Sequence, residues 1–280
     1  MMKVLGLVAS PRKLGNSEIL TKEILAALPA TVEKELIRLP DLDIQACKAC
    51  YACLASDQEC TIKDDDLGRL LAKIKTADAV VIASACYFLG PHTSIKIVND
   101  RLISVLANTD AFAGKRCVTA VVYGIPGWEG YAREAVLNFA RFLHLDVVGS
   151  MLVQAASPGE AVTPATLAEA RRLAGRLLEG EADLSLPGVL TCERCGSSLL
   201  QVKPTGEVRC VMCDSHGRLT SEGGRTSVEF ERREHYRFSS AGRDEHAQLL
   251  AEIRQRYLAG RGALYKSRKP YEEFDNWWAK

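Results

Sequence analysis

The chain has 280 residues, ten of them cysteines, with 47% hydrophobic content and a formal net charge of +1. This length favours one large domain with a smaller unit appended, and the near-neutral charge argues against nucleic acid as a partner. The apolar runs are too short to cross a bilayer, and the N-terminus reads as a buried strand instead of an export signal, so we expect a cytoplasmic protein.

Residues 1–183 alternate apolar runs with amphipathic stretches, and we predict one domain over this range. The apolar runs predict buried strands, and one alternating run predicts an edge strand: 3–9, 32–39 (edge), 78–84, 116–124 and 146–154. The amphipathic stretches predict helices at about 17–28, 65–76, 94–107, 130–144 and 164–179. This alternation predicts an α/β fold, a doubly wound five-stranded parallel sheet of the flavodoxin-like kind. Ligands of such sheets lie beyond the carboxyl ends of the strands, where the loops 9–17, 84–92 and 124–130 fall.

The segment SPRKLGNSE, residues 10–18, follows the first predicted strand. It lacks the glycine patterns of dinucleotide-binding loops and P-loops, yet it carries what a terminal phosphate needs at a helix start. Ser10, Asn16 and Ser17 provide hydrogen-bond donors, and Arg12 provides positive charge. A capped helix after a proline turn is the alternative, but the position after the first strand favours phosphate binding.

Two stretches resemble the flavodoxin-like NAD(P)H-dependent FMN reductase superfamily, over roughly residues 1–180. GLVASPRKLGNSE resembles the loop that binds the FMN phosphate, and SACYFLGPHTSIKIVNDR resembles the loop and helix beside the flavin. The resemblance implies that Ser84, Tyr87 and Phe88 flank the isoalloxazine and ribityl chain. It also places the loop containing Gly124 over the far edge of the flavin. Without the resemblance, Tyr87 and Phe88 would be interpreted as core aromatics.

The second of these loops departs from the superfamily pattern at three positions. Ala85 replaces a proline, Cys86 replaces an aliphatic residue, and Leu89 replaces a glycine. We expect Leu89 to alter shape or access beside the flavin ring. Cys86 is interpreted as a small apolar filler, and His92 as a loop residue with proton donation as the alternative.

The segment ACKACYACLASDQEC, residues 46–60, crowds four cysteines into the spacing C-x2-C-x2-C-x6-C. Thiols at three-residue intervals suit adjacent corners of a cubane, and Cys60 is the local candidate for the fourth iron. We therefore predict a [4Fe–4S] cluster bound by Cys47, Cys50, Cys53 and Cys60. A zinc site and an unligated or regulatory set of thiols are the alternatives.

A compact cysteine motif in this fold, followed by IKDDD, resembles the archaeal and bacterial iron–sulfur flavoproteins. The resemblance implies that the four cysteines bind the cluster and that subunits assemble as a homodimer or homotetramer, with the cluster near FMN. It is closest at Cys47, Cys50 and Cys53, while the interval before Cys60 is slightly longer. The acidic run 64–66 is interpreted as a helix cap.

A second unit is predicted at 184–222, where four cysteines follow the spacing C-x2-C-x14-C-x2-C: Cys192, Cys195, Cys210 and Cys213. This pattern is typical of a zinc ribbon or a rubredoxin-like site, and both zinc and rubredoxin-type iron remain open. Residues 223–280 are predicted to contain a strand near 228–238 and a helix at 244–258. An aromatic tail with Tyr271, Phe274, Trp277 and Trp278 follows, and we expect it to dock onto the body or a partner.

These features predict an FMN-dependent oxidoreductase that passes electrons between a one-electron carrier such as ferredoxin, a [4Fe–4S] cluster and FMN. No catalytic side chain is assigned, because the cofactors carry the chemistry. One alternative is an NAD(P)H-dependent FMN or quinone reductase with incidental cysteines. Another is a metal-ribbon binding module regulated by the flavin redox state.

Overall fold

The structure, a computed structural model, describes residues 1–54, 60–231 and 236–272, with the side chains of 106–110 left out. The N-terminal sheet contains six strands: β1 (Lys3–Ala9), β2 (Glu33–Arg38), β3 (Ala79–Tyr87), β4 (Gly90–Pro91), β5 (Arg116–Tyr123) and β6 (Asp146–Gln154). Five of these pair in parallel in the order β2-β1-β3-β5-β6, and the short β4 folds back on β3 as an antiparallel hairpin. The predicted flavodoxin-like parallel sheet is confirmed.

Five helices connect these strands: α1 (Asn16–Ala26), α2 (Leu67–Thr76), α3 (Thr93–Arg101), α4 (Ala132–Phe142) and α5 (Pro164–Leu178). One predicted helix, 94–107, is too long, because α3 ends at Arg101 and continues as a 3₁₀ helix, Leu102–Ala111. The Ser104 hydroxyl donates to the Arg101 carbonyl at 2.7 Å, a local bond that competes with a regular helical turn.

The core has two layers, one on each face of the sheet. Along β3, Val80 and Ile82 pack with α2, α3 and α4, whereas Val81 and Ala83 pack with α1 and α5. Successive strand residues point to opposite faces, so helices on both faces explain the continuous apolar runs. Because the strands are parallel and in register, with Ala9 beside Ser84, the loops that follow β1, β3 and β5 are neighbours.

The C-terminal part begins with a four-stranded antiparallel sheet: β7 (Leu200–Val202), β8 (Glu207–Cys210), β9 (His216–Glu222) and β10 (Arg225–Phe230). Gly223 and Gly224 join β9 to β10 with φ angles of 57° and 77°, the left-handed region that a two-residue hairpin turn requires. The sheet therefore continues past residue 222, where the sequence predicted a division. The strand predicted near 228–238 corresponds to β10, which begins three residues earlier and ends at Phe230, and residues 232–235 of the prediction lie outside the described residues.

A long helix, α6 (Ser240–Arg268), follows this sheet. The predicted helix 244–258 is too short at both ends. The Ser239 hydroxyl caps the N-terminus by accepting the Gly242 N–H at 3.1 Å, and no proline interrupts the next 29 residues. The Phe274, Trp277 and Trp278 of the predicted tail lie outside the described residues. Within the described ranges, we find no helix that combines the length and apolar character needed to cross a membrane.

Candidate cofactor sites

The predicted phosphate loop carries an unpaired hydroxyl group. Ser17 lies in the first turn of α1 and is 1% exposed, and its Oγ has no hydrogen-bond partner among the described residues. The N–H groups of this turn have no intrahelical acceptors. At Gly15, the residue before the helix, a Cβ would lie 3.1 Å from the Arg12 carbonyl oxygen, so the loop is tightly wound. A buried, unpaired donor beside free N–H groups fits a bound phosphate.

The Asn16 side chain has a different use from the one predicted. Its Nδ2 donates to the carbonyls of Ala155 and Ser157, at 3.3 and 2.9 Å, and its Oδ1 accepts the Gly159 N–H at 2.8 Å. Both amide hydrogens are thus occupied in holding α1 against the loop after β6. As a phosphate donor, Asn16 is left with its main-chain N–H.

Arg38, at the end of β2, was missed by the sequence analysis. Its guanidinium donates to the carbonyls of Pro11 and Arg12, both at 3.1 Å, and forms a 2.6 Å ion pair with Glu18. Glu18 in turn accepts the Leu14 N–H at 2.9 Å. Arg38 therefore fixes the main chain of the predicted phosphate loop. An arginine at the end of an edge strand was the only signal in the sequence.

Most of the predicted flavin-site residues border one cavity of about 160 Å³. They come from the loop after β1, the start of α1, the end of β3 and the loop after β5: Ser10, Arg12, Asn16, Ser17, Tyr87 and Gly124. Ser84 is fully buried behind this cavity, where its hydroxyl accepts the His92 N–H at 3.2 Å and stabilises the β3–β4 hairpin. Phe88 does not border it. The structure thus brings six of the eight predicted residues together around one cavity.

The tip of the β3–β4 hairpin has an unfavourable backbone conformation. Phe88 and Leu89 have φ angles of 47° and 67°, in a two-residue turn that favours asparagine and glycine. The Leu89 carbonyl accepts the Tyr131 N–H at 2.8 Å, and Gly130 packs so closely that a Cβ there would lie 2.2 Å from the Leu89 oxygen. These contacts hold a leucine where the superfamily pattern has glycine. The Phe88 side chain is left 99% exposed.

The first cysteine group borders a single cavity of about 280 Å³. All four predicted ligands line it: Cys47, Cys50, Cys53 and Cys60. The Ala49 N–H lies 3.4 Å from the Cys47 sulfur, and the Thr61 hydroxyl lies 3.6 Å from the Cys50 sulfur. The Ala52 N–H and then the Thr61 hydroxyl lower the pKa of Cys50, which favours the thiolate that binds metal.

A buried ion pair holds the two ends of this cysteine segment together. Arg101, at the end of α3, pairs with Asp65, and both side chains are nearly inaccessible. Arg101 also donates to the carbonyls of Gln45 and Ile62, at 3.0 and 3.3 Å, on either side of the four cysteines. It interacts electrostatically with Cys60 as well. Burial is the largest single effect and raises the pKa of Asp65, but the hydrogen bonds from Arg101 and from the Gln45 and Leu67 N–H groups together outweigh it, so the pKa of Asp65 is lowered.

The second cysteine group forms a compact, buried site. The four sulfur atoms of Cys192, Cys195, Cys210 and Cys213 all lie within 4.8 Å of one another. In each knuckle, a residue with left-handed backbone donates its N–H to the first cysteine carbonyl: Gly196 to Cys192 at 2.8 Å, and Asp214 to Cys210 at 2.9 Å. Four thiols in this arrangement suit one tetrahedral metal ion.

A buried arginine joins this ribbon (residues 191–222) to the parallel sheet. Arg133 on α4 donates to the carbonyls of Gly196 and Leu184, at 2.7 and 2.6 Å. Its neighbour Glu134 accepts the Ser198 hydroxyl at 2.8 Å. This contact could not be predicted, because Arg133 lies in an amphipathic helix, where a charged residue normally faces solvent.

The sequence matches proteins with related chemistry. Residues 2–157 match the family model described as NADPH-dependent FMN reductase. An iron-sulfur flavoprotein of Methanocaldococcus jannaschii is 37% identical over 101 residues, which cover 36% of this chain and 51% of that protein. One from Methanosarcina thermophila is 32% identical over 148 residues, covering 51% and 74%. The chain thus spans about half the length of the first of these relatives.

The fold is shared with a solved structure over nearly its whole length. The structure of a protein described as flavone reductase has a TM-score of 0.76 and 20% sequence identity, covering 98% of both chains. At this identity the likeness concerns the fold alone. It includes the C-terminal part as well as the parallel sheet.

Proposed function

Because the chain belongs to the NADPH-dependent FMN reductase family, we propose that it is an FMN-dependent oxidoreductase of the iron–sulfur flavoprotein type. It passes electrons between a one-electron carrier, a [4Fe–4S] cluster and FMN. The observation that carries this proposal is the single cavity lined by the thiols of Cys47, Cys50, Cys53 and Cys60, in a chain whose loop after β1 is predicted to bind a phosphate.

The flavin site is supported by the groups that surround it. The Ser17 hydroxyl, the N–H groups of the first turn of α1 and the Arg12 side chain would hold the FMN phosphate. Tyr87 and Gly124 would lie beside the rest of the cofactor, because they border the same cavity. FMN supplies both one-electron and two-electron chemistry when bound. The residues of this chain bind and orient it.

The two cysteine groups differ in a way that suggests different metals. Among the described residues, only the ribbon brings four thiols within 4.8 Å, the geometry for a single ion. The thiols of residues 47–60 are more widely spread around a cavity of about 280 Å³, which suits a polynuclear cluster. We assign the [4Fe–4S] cluster to the first group and zinc to the ribbon. Rubredoxin-type iron is the other metal that fits the ribbon ligands.

This proposal differs from its main alternative, a plain NAD(P)H-dependent reductase, chiefly in the electron partner. Ferredoxin or a similar carrier suits a chain with a one-electron cluster, and we propose a cytoplasmic homodimer or homotetramer that uses one. A plain NAD(P)H-dependent reductase is favoured by the description of the matched family. Anaerobic mixing separates the two: rapid bleaching of the flavin by NADPH supports the competitor, whereas slow bleaching with rapid reduction by ferredoxin supports the proposal.

Quantitation of iron, acid-labile sulfide, zinc and FMN on one anaerobic preparation tests the cofactor assignment. We expect about four irons, one zinc and one FMN per chain. About five irons without zinc would assign iron to the ribbon and keep the rest of the proposal. Protein that binds flavin yet contains no acid-labile sulfide after reconstitution would refute the cluster assignment.

A further inference from the structure

A second, larger cavity adjoins the predicted flavin site. It has a volume of about 890 Å³ and lies between the β3–β4 hairpin, helices α3 and α4, and the ribbon. Its apolar lining comes from all of these elements: Tyr87, Phe88, Ile95, Ala135, Leu199 and Met212. Tyr87 also borders the smaller cavity of the phosphate loop, so the two spaces share a wall.

The size and lining of this cavity suit a small organic molecule. Small-molecule sites are typically concave, mainly apolar and roughly 300–1,000 Å³, with a few polar groups that orient the ligand. The polar groups here include Asn99, whose Oδ1 is buried and has no hydrogen-bond partner among the described residues. A buried acceptor without a partner is costly, and a ligand hydroxyl that donates to the Asn99 Oδ1 would satisfy it.

The ribbon supplies part of the wall through two residues placed by its metal-binding knuckles. Met212 lies between the ligand candidates Cys210 and Cys213, and Leu199 accepts the Val211 N–H through its carbonyl at 3.2 Å. The position of both side chains therefore depends on the folding of the knuckles and on their attachment to α4 through Arg133. Met is an adaptable apolar surface for aromatic rings.

Phe88 forms the rim of the cavity on the side of the hairpin. The chain keeps a large aromatic side chain 99% exposed at a position where the left-handed backbone disfavours any side chain. Contacts within the protein do not explain why a phenylalanine occupies this position, because the exposed Phe88 ring buries almost no surface area. An aromatic ring on the rim would stack on a flat ligand and bury apolar surface of both.

We propose that this cavity binds a planar aromatic molecule with a hydroxyl substituent, and that the ribbon, through Leu199 and Met212, is a specificity-determining wall of the site. The proposal rests on the proposed function, since a ligand beside Tyr87 would lie next to the flavin. The ribbon then has a part in choosing the substrate besides any role in stability.

Binding of 2,6-dihydroxyanthraquinone to the oxidised, FMN-loaded protein tests this proposal by titration calorimetry. This probe is planar, carries two hydroxyl groups that can donate a hydrogen bond, and has no ring position that adds thiols under these conditions. We expect saturable binding of one molecule per chain. Met212→Ala and Leu199→Ala are each expected to raise the Kd roughly fivefold, because each removes apolar contact area with the ring.

Val211→Ala is the matched control, because Val211 lies in the same knuckle, is exposed and does not line the cavity. Its Kd is expected to equal that of the wild type. Leu199→Trp, which extends a bulkier ring from the same wall into the space the probe would occupy, provides a second test and is expected to raise the Kd more than Leu199→Ala does. Zinc content is measured for every variant, and only metal-loaded variants are compared.

Absence of saturable binding, or equal Kd values for the wild type and both alanine variants, would overturn the proposal. A fall in particle mass in Met212→Ala with an unchanged Kd would also overturn it, since the cavity would then be an interface between copies of the chain. The flavin content of the protein distinguishes failure of this proposal from failure of the proposed function. A protein that binds FMN but not the probe refutes this proposal alone, whereas one that binds no FMN refutes the proposed function.

Discussion

Replacing Arg101 with methionine removes the guanidinium that holds both ends of the cysteine segment. Methionine keeps an apolar stem of similar length, so the change removes the charge and its hydrogen bonds without leaving a large cavity. The lost partners are the Asp65 carboxylate and the carbonyls of Gln45 and Ile62. These two carbonyls flank the four cysteines, so their release frees the segment at both ends.

The expected loss of unfolding free energy follows from the burial of the ion pair between Arg101 and Asp65. The side chains of Arg101 and Asp65 are 1% and 2% exposed, so the variant leaves a carboxylate buried without its counter-ion. Removing one partner of such a pair costs about 3–5 kcal/mol of unfolding free energy. The Gln45 and Leu67 N–H groups still donate to Asp65, at 3.0 and 3.2 Å, which favours the lower end of this range. The double variant Arg101→Met, Asp65→Asn is expected to recover part of the loss, because no charge is then left buried.

Urea unfolding of the variants, together with iron bound per chain after reconstitution, measures both effects. Arg172→Met is the control, because Arg172 pairs with Glu169 on the surface of α5, where 51% and 30% of the two side chains are exposed. Such a pair contributes about 0–1 kcal/mol. If Arg101→Met lowers the unfolding free energy no more than the control does, or retains full iron content, then the ion pair does not hold the cysteine segment.

Three further predictions concern separate parts of the molecule. Cys50→Ala is expected to abolish the broad cluster absorbance while FMN is retained, whereas Cys86→Ala leaves both unchanged; iron that persists in the Cys50 variant would exclude Cys50 as a ligand. His144 is buried, and burial and then the nearby charge of Arg243 lower its pKa to about 4. The unfolded chain therefore takes up the proton first as the pH falls below about 6.5, so His144 costs the folded state about 2 kcal/mol by pH 5. His144→Asn, which suits the left-handed backbone, is expected to reduce the loss of unfolding free energy between pH 7 and pH 5, and an identical loss would contradict this reasoning. Arg133→Met is expected to lower the unfolding free energy by about 2–4 kcal/mol, since it leaves two ribbon and linker carbonyls without their donor, and to speed limited proteolysis between the ribbon and the sheet.

Features that depend on local spacing could be predicted from the sequence. The alternation of apolar and amphipathic runs was sufficient for the parallel sheet, because strand and helix periods are properties of neighbouring residues. The two ribbon knuckles were also predictable, since Cys192 and Cys195, like Cys210 and Cys213, lie within a single turn. Both patterns require only that residues close in the chain have the right types.

Features that depend on burial of distant polar groups were decided by the tertiary structure. Arg101, Arg133 and Arg38 resemble ordinary surface arginines in the sequence, yet each satisfies main-chain carbonyls that lie 26 to 63 residues away. The Asn16 side chain likewise binds a loop about 140 residues further along the chain instead of standing free for a phosphate. Burial makes an unpaired carbonyl or amide costly, and only the packed fold determines which carbonyls are buried and which side chain reaches them.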